Sequence, residues 1–235
     1  MTGREDDRLE PGGAFASPPC LMHELDPTFA GLVIDPVAAR DVARWRKAER
    51  ERLIAARLAV SAQERAEHVH CMALELDEII ARISVSIISV YWPFRGEPDL
   101  RPWMHALSAR GMRVALPDVV ERAMPLIFRE WRPDAKLARG IWNIPFPEDG
   151  VVVEPEVVIA PLVGFDRGNY RLGYGGGYFD RTLAALAPRP LVVGVGHPTG
   201  AIPTIYPQPH DIPMDRIVTG FAPRACRPSN GPHSS

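Results

Sequence analysis

Four glycines lie between an arginine and an aspartate in residues 161–181, which read PLVGFDRGNYRLGYGGGYFDR. Backbone N–H groups can converge on an anion in such a loop, because glycine has no Cβ to keep a ligand away. Arg171 precedes these glycines and can add charge-assisted hydrogen bonds to phosphate oxygens. Asp180 follows them, where a carboxylate can hold a magnesium ion that also binds phosphates. These residue types at this spacing predict a site for the phosphates of a nucleotide.

The elements on either side of the glycines would position them. The β-branched run at 157–159 predicts a buried strand, and YFDRTLAALA has its apolar residues at helical spacing. A helix that begins near Gly177 would point its free N–H groups and its dipole at the same anion. The alternative is a tight turn without a ligand, which glycines alone do not exclude. The pattern is neither a Walker loop, since no GK[ST] follows, nor a clean dinucleotide-binding fingerprint.

The run FDRGNYRLGYGGGYFDR resembles the signature of the 5-formyltetrahydrofolate cyclo-ligase family, also called methenyltetrahydrofolate synthetase, and the resemblance extends over residues 44–220. It implies an ATP- and magnesium-dependent ligase that cyclises 5-formyltetrahydrofolate to 5,10-methenyltetrahydrofolate and releases ADP and phosphate. In that reaction the formyl oxygen attacks the γ-phosphate, and N10 then closes the ring as phosphate leaves. The resemblance implies two catalytic residues, Arg171 and Tyr174. It implies an ATP-binding loop made of Arg171, Gly173, Tyr174, Gly175, Gly176, Gly177 and Tyr178.

The first predicted helix carries a cluster of basic residues, Arg46, Lys47 and Arg50, about one helical turn apart. From spacing alone, a solvated basic surface is the better interpretation. The family has a Lys-x-x-x-Arg pair here that grips the phosphates of ATP. When the sequences are aligned through Ser61, Arg46 takes the place of that lysine and Arg50 matches the arginine. The resemblance therefore implies that all three basic residues bind ATP, with a guanidinium geometry in place of an ammonium.

An aromatic loop, YWPFRGE at positions 91–97, follows a predicted buried strand. A pterin ring needs a flat apolar wall and a carboxylate for its N–H groups, and Trp92 and Glu97 supply both. The loop resembles the folate-contacting loop of the family, which implies that these two residues bind the substrate. The same resemblance implies a substrate contact for Trp142. Structural roles remain the alternative, namely a solvated glutamate in a turn and a tryptophan that anchors the core.

Asp211 lies in a proline-rich segment and resembles the family's second metal-binding aspartate. The resemblance implies that Asp180 and Asp211 hold Mg²⁺, with phosphates and water completing six oxygen ligands. Three features depart from the family pattern: an arginine stands at position 46, Phe179 replaces the usual tyrosine, which is a mild change, and HPTGAIP replaces a segment that commonly holds a glutamine. His197 in that segment has either a polar or a packing role. These departures leave a second function open, that of a cyclo-ligase-like paralogue, linked to thiamine metabolism, that binds nucleotide but lacks ligase activity.

The composition limits the partners that we expect. The apolar share of 46%, the charged share of 24% and the formal charge of −2 are typical of a globular protein without a polyanionic partner. No apolar run approaches the length of a membrane span. We therefore expect ATP and a reduced folate as ligands, no nucleic acid, no membrane, and a monomer or weak dimer.

The ends of the chain and its cysteines indicate a cytoplasmic location. The N-terminal residues MTGREDDRLEPGG are acidic and polar, unlike a secretory signal. The three cysteines are odd in number and widely spaced, which fits neither a zinc pattern nor a disulfide framework. Cys20 lies close to His23 and Glu24, but packing of a proline-rich arm explains this group better than a metal site does.

Strands alternate with helices along the chain, which predicts an α/β fold: a single domain with a mainly parallel sheet flanked by helices. The resemblance implies the three-layer architecture of cyclo-ligases and NagB/RpiA-like proteins. We predict an arm at 1–34, the domain at 35–221 and a tail at 222–235. The predicted helices cover 36–60, 62–82 and 99–110, with another after the glycines; the predicted strands cover 85–91, 113–116, 125–131, 157–160, 191–196 and 217–219. The first helix has a broken apolar stripe of Val42, Trp45, Leu53, Ile54 and Leu58, and Ser61 with Glu64 forms a capping box that starts the second helix. The proline-rich segment 142–150 is predicted to be irregular. Because ligands of such sheets bind at the carboxyl ends of the strands, the loops after Tyr91, Ala160 and Gly196 should face one crevice.

Overall fold

The structure is a computed structural model that describes residues 36–221, apart from the side chains of Pro36 and Trp142. The predicted arm and tail, including Cys20, His23 and Glu24, lie outside the described residues, so the predicted domain limits stay a prediction. The four α-helices of the described part are α1 (Pro36–Ala59), α2 (Ala62–Ile80), α3 (Arg101–Ala109) and α4 (Tyr178–Ala185). Its strands are β1 (Ile87–Ser89), β2 (Arg113–Asp118), β3 (Ile127–Trp131), β4 (Leu137–Arg139), β5 (Pro145–Pro147), β6 (Val152–Val153), β7 (Val157–Pro161), β8 (Gly164–Phe165), β9 (Arg171–Leu172), β10 (Leu191–Val195) and β11 (Arg216–Val218).

Seven strands form one sheet, in the order β11-β10-β7-β1-β2-β3-β6. The five strands from β11 to β2 run parallel, whereas β3 and β6 are added in antiparallel fashion at one edge. The strands near the centre of the sheet are almost wholly apolar, which is typical of parallel strands covered on both faces. The predicted mainly parallel sheet is therefore confirmed.

Helices cover both faces of the sheet, because successive residues of each strand point to opposite sides. On one face, Met72 of α2 and Leu107 of α3 pack in a cluster that includes Ile88 and Ile159. On the other face, Leu183 of α4 packs with Ala160, the next residue of β7. These contacts produce the expected three layers. Within residues 36–221, no helix has both the length and the apolarity that a membrane span requires.

Helix α1 lies at the edge of the sheet that is formed by the carboxyl ends of the parallel strands. Leu53 of α1 packs with Val163, Leu172 and Ile205, which lie in segments that follow β7 and β10. The polypeptide then enters α2 through the predicted capping box. Ser61 Oγ accepts the Glu64 N–H (3.2 Å), and the Glu64 carboxylate accepts the Ser61 N–H (3.1 Å). This packing holds the basic residues of α1 beside the carboxyl ends of the strands.

Two hairpins differ from the predicted pattern. The segment around Trp142 was expected to be irregular, but β4 and β5 pair there in antiparallel fashion around a 3₁₀ turn at Ile141–Asn143. The two prolines of β5 lack N–H donors, so the sequence carries a poor strand signal. The chain between β7 and the glycines forms the β8–β9 hairpin, whose turn is held by Asp166 through the Gly168 and Tyr170 N–H groups. The hairpin places Arg171 beside the glycines.

Candidate active site

A cavity of about 440 Å³ opens at the carboxyl edge of the sheet. The ends of β2 and β7 and the loop after β1 form its floor, while α1, the glycine loop and His210–Asp211 form its walls. It thus lies where a parallel sheet places its ligands. The predicted site residues that line it are Arg46, Arg50, Trp92, Glu97, Arg171, Gly173, Tyr174, Gly175, Gly176, Gly177, Tyr178, Asp180 and Asp211.

Two predicted binding residues are placed differently. Lys47 is exposed on α1 and is absent from the cavity lining, although its neighbour Arg46 belongs to it. The side chain of Trp142 lies outside what the structure describes, but Ile141 and Ile144 on either side of it line the cavity. The predicted contact of Trp142 therefore stays a prediction.

The glycine loop needs glycine at two positions. Gly175 has φ +94° and Gly177 has φ +63°, which are left-handed conformations that side chains disfavour. A Cβ on Gly175 would also lie 3.1 Å from the guanidinium carbon of Arg50, so the arginine packs directly on the backbone. Gly177 is the N-cap of α4, as predicted, and the free N–H groups of this helix begin beside the cavity. The loop has the features of an anion site.

Three arginines, Arg46, Arg50 and Arg171, line the cavity beside this loop. Arg50 donates from Nε to the Gly173 carbonyl (2.7 Å), and Arg46 donates to the carbonyls of Ile205 (2.9 Å) and Tyr206 (2.8 Å). Burial lowers the pKa of Arg50, and the charges of Arg46 and Arg171 lower it further, against the opposing effect of Asp211. The three cations therefore repel one another in the absence of a ligand. A polyphosphate would relieve this repulsion.

The two predicted metal ligands are each paired with an arginine. Asp180 accepts a hydrogen bond from Arg171 (3.1 Å), and Arg46 donates to both carboxylate oxygens of Asp211. Asp180 also accepts the Ile212 N–H (3.3 Å), which brings it beside Asp211. Burial lowers the pKa of Arg171, and these two aspartates oppose that effect. The arrangement is a buried network of alternating charges rather than two free carboxylates.

This donor set fits a metal that is shared with phosphates. Within residues 36–221 no group of three or more His, Cys, Asp and Glu side chains is arranged to hold a metal by itself. Asp180 and Asp211 lie beside the arginine cluster, and a carboxylate oxygen that accepts one hydrogen bond keeps a second lone pair. Magnesium commonly binds through one or two carboxylates together with phosphates and water. The residues present therefore fit Mg²⁺ that enters with a nucleotide.

Glu97 lies in the other half of the cavity and is almost fully buried, with 6% of its surface exposed. Burial raises the pKa of Glu97 to about 7, although the Phe94 N–H (2.9 Å) and the charge of Arg57 favour the ionised form. The phenol of Tyr174 is a further hydrogen-bond partner that favours that form. A buried acceptor that is ionised near neutral pH suits the N–H groups of a heterocycle.

Arg57, which the sequence prediction missed, lies behind this half of the cavity and is not part of its lining. It is 2% exposed, and it donates from Nη2 to the Tyr174 hydroxyl (2.7 Å). Its Nε and Nη1 atoms are buried and have no partner among the described residues. The neighbouring Leu58, which was assigned to the apolar stripe of α1, is instead 54% exposed. The stripe prediction was wrong at this position, because Arg57 occupies the inward-facing place beneath residues 94–97.

His197 lies in the segment after β10 and contacts the loop at residues 91–97 (the Glu97 loop). Its Nε2 atom lies 3.1 Å from the Gly96 carbonyl, and the side chain is buried. Burial lowers the pKa of His197 to about 4, so the ring is neutral and Nε2 carries the proton that it donates. Of the two roles that the sequence allowed, the structure thus favours the packing role: His197 is buried, holds the loop through its contact with Gly96 and does not line the cavity.

The apolar wall of this half comes from Trp92, Phe94, Ile144 and Phe146. The guanidinium of Arg101 lies over the Trp92 ring, 5.4 Å from its centre, and fixes one side of the wall. One end of the cavity is therefore cationic and rich in glycine. The other end is apolar and carries carboxylates. Such a site can bind a nucleotide and a ring compound next to each other and transfer a phosphoryl group between them.

Comparison with known families agrees with this geometry. Residues 42–220 match the model of the 5-formyltetrahydrofolate cyclo-ligase family. The 5-formyltetrahydrofolate cyclo-ligase of Mycolicibacterium smegmatis is 30% identical over 146 residues, which cover 59% of this chain and 75% of that protein. The protein of the same name from Escherichia coli K12 is 32% identical over 139 residues, or 56% of this chain and 76% of that protein.

Two solved structures have a similar fold. A 5,10-methenyltetrahydrofolate synthetase from Mycoplasma pneumoniae superimposes with a TM-score of 0.62 at 22% identity, covering 74% of this chain and 98% of that one. The Aquifex aeolicus 5,10-methenyltetrahydrofolate synthetase, solved by NMR, gives a TM-score of 0.66 at 26% identity, covering 80% and 96%. The three-layer architecture expected from the sequence is thus confirmed by both comparisons.

Proposed function

Because the chain belongs to the 5-formyltetrahydrofolate cyclo-ligase family, we propose that it cyclises 5-formyltetrahydrofolate to 5,10-methenyltetrahydrofolate at the expense of ATP. One observation supports the proposal most directly. A single cavity joins an arginine and glycine end, suited to a triphosphate, to an aromatic and carboxylate end, suited to a reduced pterin. The reaction requires these two ligands in contact, since the formyl oxygen must reach the γ-phosphate.

The phosphate end would bind and orient ATP. Arg50 and Arg171 donate to phosphate oxygens, together with the N–H groups of the loop and of the start of α4. Arg46, bound to Asp211, completes the charged wall. Catalysis of phosphoryl transfer depends on alignment and charge neutralisation more than on a strong base, which agrees with the chemistry of these side chains. Tyr174 belongs to both ends, since it lies in the glycine loop and contacts Arg57 and Glu97.

Asp180 and Asp211 would hold Mg²⁺ that arrives with the nucleotide. When bound, the ion neutralises part of the charge on the phosphates. The carboxylates' own contribution is to orient Arg171 and Arg46 by accepting their hydrogen bonds. Phosphate oxygens would accept further hydrogen bonds from the same guanidinium groups.

The substrate end would bind the pterin against Trp92 and on Glu97. The ring N–H groups favour the ionised carboxylate, so binding should lower the pKa of Glu97 from about 7. The formyl oxygen attacks the γ-phosphate and displaces ADP, which yields an imidate phosphate. N10 then attacks the former formyl carbon, loses its proton and closes the ring, and inorganic phosphate leaves.

The direct test follows the absorbance of the methenyl product with purified protein, ATP, magnesium and 5-formyltetrahydrofolate. We expect turnover that needs both ATP and the metal and that stops with a chelator. Calorimetry with each ligand alone tests the alternative of a nucleotide-binding paralogue. Binding of ATP without any binding of the folate, in a well-folded protein that forms no product, would contradict the ligase proposal and favour the paralogue.

A further inference from the structure

The end of β2 places a second carboxylate on the substrate side of the cavity. Asp118 is the last residue of β2, three positions after Ala115, which pairs with the last residue of β1, and it is 6% exposed. Its Oδ2 atom accepts a hydrogen bond from Arg129 Nε on β3 (2.8 Å). Within residues 36–221 no hydrogen bond reaches Oδ1, and this atom is not among the polar atoms sealed from solvent without a partner. Asp118 lines the cavity, so Oδ1 is the oxygen of this carboxylate that remains available to a ligand there.

Arg129 fixes the orientation of this carboxylate. Besides Asp118, the guanidinium binds the Gly150 carbonyl (3.3 Å) and lies 5.8 Å from the centre of the Phe146 ring, which is itself part of the cavity wall. With one oxygen committed to a fixed donor, an ionised carboxylate presents the other oxygen as an acceptor only. The cavity therefore offers a rigid acceptor at this point.

A purely structural role for the Asp118–Arg129 pair is less consistent with its placement. Another ion pair, Arg113–Glu130, already links β2 to β3 near the other end of these strands, with Arg113 donating at 2.6 Å and 3.2 Å. In that pair both arginine donors bind the same glutamate oxygen, and Arg113 is half exposed. The pair at Asp118 differs because it is more buried and because Asp118 lines the cavity, whereas Glu130 does not.

We propose that Asp118 is a substrate-binding residue whose Oδ1 accepts a hydrogen bond from an N–H group of the ring system bound at Glu97. The inference rests on the proposed function. A tetrahydropterin carries an amino group and more than one ring N–H, and a single carboxylate can accept from only two adjacent donors. A third donor enclosed in this cavity would lose its bond to water and needs an acceptor from the protein. Asp118 supplies it and thereby selects donor-rich ring compounds.

The test compares Asp118→Asn with Glu130→Gln, which removes the same charge from the other pair between β2 and β3. Arg129 needs an acceptor, so the amide oxygen of the new side chain turns toward Arg129 and the NH₂ group turns into the cavity. An acceptor thus becomes a donor that opposes the substrate N–H. We expect the KM and the calorimetric Kd for 5-formyltetrahydrofolate to rise by roughly tenfold to a hundredfold, which matches the loss of a hydrogen bond to a charged group. The KM for ATP should change little in either variant.

Several outcomes would overturn the inference. The inference is contradicted if Asp118→Asn unfolds cooperatively but keeps the folate KM of the wild type. It is also contradicted if both variants change the melting temperature equally and neither changes folate binding. If Asp118→Asn does not fold, Asp118→Glu keeps the pair with Arg129 and displaces the free oxygen by one methylene, so an unchanged folate Kd again contradicts the inference. Wild-type protein that binds the folate without turnover contradicts the proposed ligase activity alone, and calorimetry still tests Asp118. Wild-type protein that binds no reduced folate overturns both.

Discussion

Replacement of Glu97 by glutamine should stabilise the protein while weakening its proposed activity. The folded protein holds the Glu97 proton up to a pKa of about 7, whereas an unfolded chain releases it near the ordinary value of 4.5. Between these two values the folded state binds more protons than the unfolded state, so the free energy of unfolding falls as the pH rises. Each pKa unit is worth about 1.4 kcal/mol, so the loss approaches about 3 kcal/mol at pH 8.

Glutamine removes this dependence because it resembles the protonated side chain. Its amide oxygen can still accept the Phe94 N–H that Glu97 accepts at 2.9 Å. We therefore expect Glu97→Gln to be more stable than the wild type by roughly 2–3 kcal/mol at pH 8, with a difference below about 1 kcal/mol at pH 5. The folate KM should rise at least about tenfold, because the pterin N–H groups lose a charged acceptor.

Urea unfolding of both proteins at several pH values from 5 to 8 measures the effect, and subtraction removes the contribution of other titrating groups. Glu130→Gln is a control of opposite sign, since a hydrogen bond from Arg113 lowers the pKa of Glu130 and its ionised form stabilises the fold. If Glu97→Gln is less stable than the wild type at pH 8, the ionised carboxylate gains more from Arg57 than it loses by burial. That result would contradict a raised pKa of Glu97 in the folded protein.

Three further predictions concern the phosphate end and the loop contact. Asp180→Asn leaves buried Arg171 beside a neutral partner, so we expect the free energy of unfolding to fall by about 3 kcal/mol. Turnover should fall by much more, and added magnesium should partly restore it; normal turnover would contradict the role of Asp180 in metal binding. Gly177→Ala forces a side chain into φ +63°, so urea unfolding should show a loss of stability of about 1–2 kcal/mol. The KM for ATP should also increase; an unchanged stability and KM would show that the loop adapts to the side chain. Burial lowers the pKa of His197 to about 4, so wild-type stability should fall as the pH drops from 6.5 toward 4, and His197→Gln should show a smaller fall over that window; equal slopes would refute this.

The spacing of apolar residues predicted most of the helices and strands, because this spacing depends only on residues that are close together in the sequence. The capping box at Ser61 and the buried strand before the glycines needed only their own side chains to be recognised. The β4–β5 hairpin was missed because its two prolines erase the strand pattern. The antiparallel direction of β3 was not predicted either, since a strand pattern alone carries no information about the direction of its neighbour, and β6 was not predicted as a strand.

The candidate site was predictable where a motif carried it and not where packing created it. The glycine loop and its flanking charges stood out as a pattern, and the structure places them in one cavity with Glu97. Asp118 follows Pro117 at the end of an ordinary strand, and the sequence of that strand does not indicate that the carboxylate lies in a cavity. Its burial depends on Arg129, eleven positions later, and on the direction of β3. The pairing of Asp180 and Asp211 with arginines likewise arises only from tertiary contacts.

Unlike Asp118, Arg57 is a missed residue that could have been predicted, because its spacing from Arg46 and Arg50 indicates the helix face on which it lies. It follows Arg46 by eleven residues and Arg50 by seven, and both separations return a side chain to nearly the same face of a helix. If Arg46 and Arg50 face a ligand, Arg57 must face the same side two turns further along. The structure shows this arrangement: Arg50 contacts the glycine loop, and Arg57 holds Tyr174 beneath the Glu97 loop. One helix therefore links the phosphate end to the substrate end, and a shift of α1 would disturb both ends together.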